Sequence, residues 1–277
     1  MSLQVGEPNT VSVGIIGFGE VGQIFVKGLL EKIEQVFVYD VLLEDKNNVL
    51  NEKIIQLGAR PVYQIEELGH CCDLVLSLVN SAASEIVAQG VAKGLNKKTI
   101  FVDLTTSTPQ VKSRSEQIVV SRGGIYVDAS IMGTVATEQY QVPILIAGDY
   151  SSEVQKLLCN LGLNCQAINH PNGAAASIKL LRSIFMKGLE ALILETMITA
   201  KNYGVSDEVM ESISKTINNN DFTTFANALI TTHMIHKNRR YKEVLDSCKL
   251  IEEAKLIPHV TEGVISFFSK SIEMEVG

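Results

Sequence analysis

The stretch Val13-Gly14-Ile15-Ile16-Gly17-Phe18-Gly19-Glu20-Val21-Gly22 decides the fold. Three glycines spaced G-x-G-x-x-G are weak evidence alone, because glycine is common. Here an apolar, β-branched run from Val11 to Ile16 leads into them, and a helical pattern from Glu20 to Glu34 leads away. A second such run, Val36 to Tyr39, ends on Asp40, 18 positions beyond Gly22. Strand, glycine turn, helix and a strand closed by an acid form the context of a dinucleotide site. The glycines give the tight turn, the close approach to a pyrophosphate and the packing of helix on strand; the acid takes the ribose hydroxyls. The helix start adds unsatisfied N–H groups and the positive end of its dipole. Gly17, Phe18, Gly19, Glu20, Val21, Gly22, Asp40 and Val41 are therefore the candidate cofactor-binding residues. A carboxylate at Asp40 repels a 2′-phosphate, and Val41-Leu42-Leu43 brings no arginine, so NAD is expected ahead of NADP. The competing ligands for such a turn are another nucleotide or S-adenosylmethionine.

Working outward, strands are expected at Leu74 to Val79, Thr99 to Val102, Ile125 to Asp128 and Val142 to Ala147, with helical stretches between them. That alternation implies a parallel sheet covered on both faces, and apolar strand cores such as Leu74-Val75-Leu76-Ser77-Leu78-Val79 agree with it. The second half has no strand signal. Ser177 to Tyr203 is apolar nearly all round, the pattern of a helix buried among others, and Lys201-Asn202-Tyr203-Gly204 reads as its C-terminus. Further helices are expected at Asp207 to Lys215, Phe222 to His233, Arg240 to Lys255 and Val260 to Glu275. The fold class is thus an α/β Rossmann-type doubly wound domain over residues 1–170, then an all-α domain over residues 171–277. The hinge falls near His170-Pro171-Asn172-Gly173.

The 277 residues are 46% hydrophobic and 20% charged, an ordinary globular composition. The net charge of −7 argues against nucleic-acid binding through a general basic surface. It leaves room for a small cationic pocket that takes an acidic metabolite. Five cysteines without a C-x-x-C pair speak against a disulfide framework or a zinc ribbon. The polar start lacks the apolar core of a signal peptide, and no run is long enough to span a membrane. A reduced, cytoplasmic protein is expected.

Beyond the glycine loop, four blocks in order resemble the β-hydroxyacid dehydrogenase and 6-phosphogluconate dehydrogenase-like superfamily. The loop with Asp40 is the first. Asp103-Leu104-Thr105-Thr106-Ser107-Thr108-Pro109 is similar to the family's D-x-S-T-x-x-P segment beside the nicotinamide. Asp128-Ala129-Ser130-Ile131-Met132-Gly133-Thr134 looks like the D-A-P-V-S-G-G substrate loop. Gly173-Ala174-Ala175-Ala176-Ser177-Ile178-Lys179 is similar to the stretch leading to the catalytic lysine. The chain departs from the family where Met132 replaces the loop serine, Ser130 its proline, and Arg182 and Ser183 the two asparagines after the lysine. With His236-Lys237-Asn238-Arg239-Arg240 downstream, it looks like a poorly characterised branch with its own helical C-terminal domain.

The resemblance implies NAD(P)-linked hydride transfer, with Lys179 as general acid and base in a cleft between the two domains. An amine does this work when burial or nearby cations pull its pKa toward neutrality. Without the resemblance, Lys179 reads as a solvated or ion-paired lysine in a first helical turn. Arg182 reads as a fork for a substrate carboxylate or phosphate, or as an ion pair with Glu190. Ser183 reads as a substrate contact or as a hydroxyl bonded back to its own helix.

Val79 and Asn80 are expected to wall the cofactor site. Thr105 and Thr106 are expected to reach nicotinamide or substrate, or else to cap the helix ahead of Pro109. Met132, Gly133 and Thr134 belong to the substrate loop. His236, Arg239 and Arg240 are candidate anion contacts, or else an exposed helix start, and Lys242 is a candidate cofactor contact. Asp128 reads as structural, and no set of residues has metal-ligand spacing.

The expected activity is reversible oxidation of a small, anionic 3-hydroxy acid or reduction of its oxo form. Reduction of an imine, or a sensor that binds the dinucleotide without turnover, are the alternatives. The expected assembly is a homodimer formed through the helical domain.

Overall fold

The computed structural model describes residues 11–45, 49–95, 99–219 and 221–274. The polar N-terminal residues 1–10 and Glu275, the expected last residue of the final helix, lie outside them. Strand and helix alternate as the sequence predicts: β1 Val13–Ile16, α1 Glu20–Leu30, β2 Val36–Tyr39, α2 Leu50–Gln56, β3 Arg60–Pro61, α3 Ile65–Cys71, β4 Leu74–Ser77, α4 Ser84–Gly94, β5 Ile100–Asp103, α5 Pro109–Ser121 and β6 Ile125–Ile131. There follow the short α6 Val135–Glu138, β7 Ile144–Ala147, α7 Ser151–Asn160 and β8 Cys165–Ala167.

The eight strands form one sheet in the order β3-β2-β1-β4-β5-β6-β7-β8. All neighbours run parallel except β6 and β7. The strand order reverses between β1 and β4, the place where open α/β sheets take their ligands at the carboxyl ends. The ends of β1, β2, β4 and β5 are level: Ile16 pairs with Tyr39 and with Ser77, and Ser77 with Asp103, which pairs in turn with Asp128 midway along β6. Two apolar clusters hold the sheet. One contains Val13, Ile15, Phe25 and Val127; the other contains Ile16, Val75, Phe101 and Tyr126.

Two strands escape the sequence reading. β3 and β8 have two and three residues, too few for a period to show. The antiparallel sense of β7 is also absent from the pattern, because burial on both faces looks the same in either direction.

Helices follow: α8 Ala174–Tyr203, α9 Ser206–Asn218, α10 Phe222–Glu253 and α11 His259–Glu273. The chain forms two compact units, residues 1–182 and 183–277, whose division falls inside α8. The sequence-based border near residue 170 lies in the loop before that helix.

Within the second unit, Glu195 accepts from the N–H groups of Val260 (2.8 Å) and Thr261 (2.9 Å) and from the Thr261 hydroxyl (2.7 Å). It thereby satisfies the first turn of α11. The helices expected on either side of His236 meet there: α10 is two helical segments joined across a kink with non-helical dihedrals at His236 (φ −119°, ψ 29°), and the basic cluster opens the second segment. One expectation is corrected. The helix α8 is not buried: Ile184, Phe185, Leu194 and Ile198 are exposed. An all-round apolar helix needs partners on every side, and one chain supplies them on only part of its surface.

Candidate functional site

The glycine loop is built by its neighbours. Gly17 adopts φ +93°, a conformation side chains rarely take, and its N–H donates to the Tyr39 carbonyl at 2.9 Å. A Cβ on Gly22 would stand 2.0 Å from the Gly17 carbonyl, so only glycine lets α1 start this close to the turn. A Cβ on Gly19 would meet nothing within 4 Å; that open space above the helix start is a cradle a side chain would fill. Phe18 is buried in the core, and Glu20 is exposed in the first turn.

Asp40 binds the loop from beside it. Its Oδ2 accepts from the Phe18 N–H at 2.8 Å and its Oδ1 from Leu42 at 3.1 Å. Each oxygen keeps a lone pair for a further donor. Val41 is exposed next to it. Open cradle, helix start and acid fit a dinucleotide.

Beside this loop lies a cavity of about 500 Å³ lined by Val21, Val79, Asn80, Thr106, Gly133 and Lys179, among others. Six residues singled out from sequence thus meet on one hollow within the first unit. Lys179 is half-buried there, and its amine is held below the ordinary lysine range. Burial is the largest cause, followed by the like charges of Lys112 and Arg182.

Asn80 is exposed and caps a tight turn through Oδ1 (Ala83 N–H, 3.1 Å). Thr105 is buried, its N–H on Asp103 Oδ1 (2.9 Å) and its hydroxyl facing Ser77 (3.5 Å), whereas Thr106 is exposed on the cavity. Neither caps α5. Thr108 does, by accepting from the Val111 N–H at 3.4 Å, because it is the residue immediately before Pro109.

Met132 is half-buried, with its N–H on the Pro143 carbonyl at 2.8 Å, and the Thr134 N–H donates to Glu138 Oε2 at 2.8 Å. Arg182 is exposed and makes no ion pair among the described residues. Sequence reasoning missed Leu78, Leu104 and Ile131, apolar residues that resemble any others at strand ends, and Val135 at the start of α6, all on the cavity wall.

It also missed Lys112. This lysine is fully buried, 3.1 Å from Asp103 Oδ1 and 3.4 Å from Asp128 Oδ1. No apolar period marks it in the sequence: it shares its buried stripe with the polar Ser115 as well as with Val119.

The remaining candidates belong to the second unit. Its cavity of about 740 Å³ is lined by Glu195, Tyr203, Arg239, Arg240, Glu243 and Phe268, among others. Arg239 pairs with Glu243 at 3.2 Å and Arg240 donates to the Thr232 hydroxyl at 2.6 Å. Lys242 is exposed, His236 marks the kink of α10, and Ser183 is half-buried at the start of the unit. Among the described residues no cluster of His, Cys, Asp or Glu is placed to hold a metal, and no helix is long and apolar enough to cross a membrane.

Residues 200–270 match a domain of unknown function, DUF1932. An uncharacterized 28.5 kDa protein of Methanothermus fervidus is 25% identical over 94% of this chain and 98% of its own length. The mitochondrial 3-hydroxyisobutyrate dehydrogenase of Rattus norvegicus is 26% identical over 64% of this chain and 54% of its own length, so the match spans about half of that enzyme. A solved structure described as a conserved protein of unknown function with structural similarity to 3-hydroxyacid dehydrogenases is 28% identical. It superposes with a TM-score of 0.66 over 95% of this chain and 97% of that one. Residues 12–168, more than half of the chain and all of the sheet, match the NAD binding domain of 6-phosphogluconate dehydrogenase, and the protein belongs to that family.

Proposed function

We propose that the protein is an NAD-dependent dehydrogenase that oxidises a small, anionic 3-hydroxy acid, or reduces its oxo form, with Lys179 as general acid and base. The observation that carries this reading is Lys179 itself: a half-buried amine, held below the ordinary lysine range, on the same cavity as the nicotinamide-side residues Val79, Asn80 and Thr106. Gly17 to Gly22 would hold the pyrophosphate at the start of α1, and Asp40 the ribose diol. Asp40 also favours NAD over NADP, since a carboxylate held by two backbone N–H groups is a fixed negative charge where a 2′-phosphate would stand.

The bound cofactor supplies the hydride acceptor in oxidation and the hydride donor in reduction. The protein's own part is the proton. In oxidation the neutral Lys179 Nζ takes the proton from the substrate hydroxyl; in reduction the ammonium returns it to the carbonyl oxygen. An amine held below its ordinary range gives up and takes back a proton more readily than a solvated lysine does. Arg182 offers a planar fork for the substrate's acid group, and Gly133 lets the loop backbone come close to it. Apolar residues Ile131, Val135 and Leu104 exclude water from the reacting carbon.

The same reading includes a cytoplasmic homodimer. Cys159, Cys165 and Cys248 are free thiols, in keeping with a reducing compartment, and the exposed apolar side chains of α8 call for a cover.

The test is a screen of short hydroxy acids, and of their phosphorylated forms, by the absorbance of reduced nicotinamide with NAD and NADP. Wild type and Lys179→Ala are run in parallel. Turnover with NAD that falls by about a hundredfold or more in Lys179→Ala is the expected result. Turnover that survives the substitution refutes the role of Lys179. Tight NADH binding with no turnover of any acid refutes the dehydrogenase reading.

A further inference from the structure

Lysine is almost never fully buried unless paired, and Lys112 of α5 is fully buried. Its Nζ donates to the Asp103 carbonyl oxygen at 2.6 Å, and it pairs with Asp103 Oδ1 and Asp128 Oδ1 at 3.1 and 3.4 Å. Asp103 ends β5 and pairs in direct register with Asp128, midway along the adjacent parallel β6, so two buried carboxylates stand side by side. Like charges so placed repel, and the single cation between them makes the pair tenable. Asp103 has further donors in the Tyr126 hydroxyl (2.8 Å), the Ser84 hydroxyl (3.1 Å) and the Thr105 N–H.

Asp128 divides its oxygens. Oδ1 faces Lys112, while Oδ2 accepts from the N–H groups of Gly173 (3.0 Å) and Ala176 (3.1 Å), at the first turn of α8. Asn172 fastens the same turn: its Oδ1 accepts from the Asp128 N–H at 2.9 Å, and its Nδ2 donates to Glu116 of α5 at 2.7 Å. Lys179 stands on α8 three residues beyond Ala176. The path from one lysine to the other is therefore one carboxylate and one helical turn.

Stability alone is a poor reason for this network, because a buried ion pair rarely outperforms well-packed apolar residues of similar volume. We propose that Lys112 is a positioning residue for Lys179: through Asp128 it anchors the turn that carries the reacting amine, and it sets a second, buried cation behind that amine. The proposal rests on the reading of Lys179 as the group that moves the proton. Four charged groups decide the field there: Lys112 on α5, Arg182 on α8, Asp103 on β5 and Asp128 on β6. Lys112 is the foremost charge acting on Lys179, ahead of Arg182.

The arrangement gives opposite signs for two substitutions. Removing the Lys112 charge relieves a like-charge repulsion, so Lys179 holds its proton to higher pH. Asp128→Asn keeps an acceptor for the α8 turn but removes the negative charge that offsets Lys112, so Lys179 loses its proton at lower pH. A network that only held the fold together would not separate the two.

The experiment is reductive methylation of the full chain with 13C-formaldehyde and titration of the Lys179 methyl signal by NMR, the signal being assigned by its loss in Lys179→Ala. Lys112→Met is expected to raise the midpoint by about one pH unit, and Asp128→Asn to lower it. Where circular dichroism shows that Lys112→Met does not fold, Lys112→Gln keeps a donor for the Asp103 carbonyl while removing the charge, and the same upward shift is expected. Midpoints that do not move in folded variants, or that move the same way in both, overturn the proposal. So does failure of all three variants to fold, which assigns the network to stability alone. The titration needs no turnover: the two expected shifts in a protein inactive toward hydroxy acids would sink the substrate reading and leave this one standing.

Discussion

Lys179 carries a cost that a solvated lysine does not, and the cost is visible in stability as well as in catalysis. Its pKa is lowered in the folded protein, by burial first and by Lys112 and Arg182 next. Between that lowered value and the ordinary lysine value of about 10.4, the unfolded chain binds a proton that the folded chain does not, so stability rises with pH across the window. Below the window Lys179 is charged in both states and its burial penalty is fully present. Lys179→Met is therefore expected to melt higher than wild type at neutral pH, with the advantage shrinking as pH rises toward the ordinary lysine value. Calorimetric melting of both proteins across that range checks it, and a difference that does not vary with pH refutes it. Asp40 makes the other prediction at this scale. Asp40→Asn retains an acceptor for the Phe18 or Leu42 N–H but removes the charge, so the ratio of NAD to NADP affinity is expected to fall by about tenfold, the equivalent of roughly 1.4 kcal/mol. Fluorescence titration with the two reduced cofactors reads it.

At the scale of elements, the glycine loop separates packing from binding. Gly22→Ala would drive a Cβ into the Gly17 carbonyl, and the backbone must shift to admit it, so both melting temperature and NADH affinity are expected to drop. Gly19→Ala meets nothing in the protein, so its melting temperature is expected to hold while NADH affinity falls. Equal melting losses in the two variants would remove the cradle from the argument. This region was legible in sequence because β1, the turn, α1 and β2 are contiguous, and each residue's task is set by its near neighbours. The two-residue β3 and three-residue β8 were not, since a period needs length. The cavity was legible in part. Lys179, Thr106, Gly133 and Val79 each carry a chemical or conformational signature, whereas Leu104 and Ile131 look like ordinary core until the strands are laid side by side. Least legible was the Lys112, Asp103 and Asp128 cluster, because its members lie on α5, β5 and β6 and meet only through strand register. Even there the outline was available, for Asp128 read as structural and its oxygens are spent on the α8 turn and on Lys112. Asp128→Ala strips both at once, and a loss of about 3 kcal/mol or more in urea unfolding is expected from a broken buried pair.

For the whole molecule, the decisive feature is the apolar surface that one chain leaves uncovered. Along α8 the side chains of Ile184, Leu194 and Ile198 are 71%, 56% and 51% exposed, and Phe185 lies between them in sequence. The run is apolar nearly all round, a composition that water selects against unless something covers it. A second copy of the chain is the cover we propose: the same helix supplies the same surface, and an isologous contact is the commonest way soluble proteins close such a face. A face of this kind, once shared, makes stability depend on concentration, because dimerisation draws the folded state forward by mass action. The wild-type chain is therefore expected to run in multi-angle light scattering at twice its 30.3 kDa and to melt higher as its concentration is raised. Ile184→Glu with Leu194→Glu places charge on the face without touching the glycine loop or Lys179. It is expected to give a monomer whose melting temperature no longer depends on concentration, with NADH binding retained by the first unit. A wild-type chain that is monomeric at tens of micromolar, with the same melting temperature at every concentration, would refute the dimer.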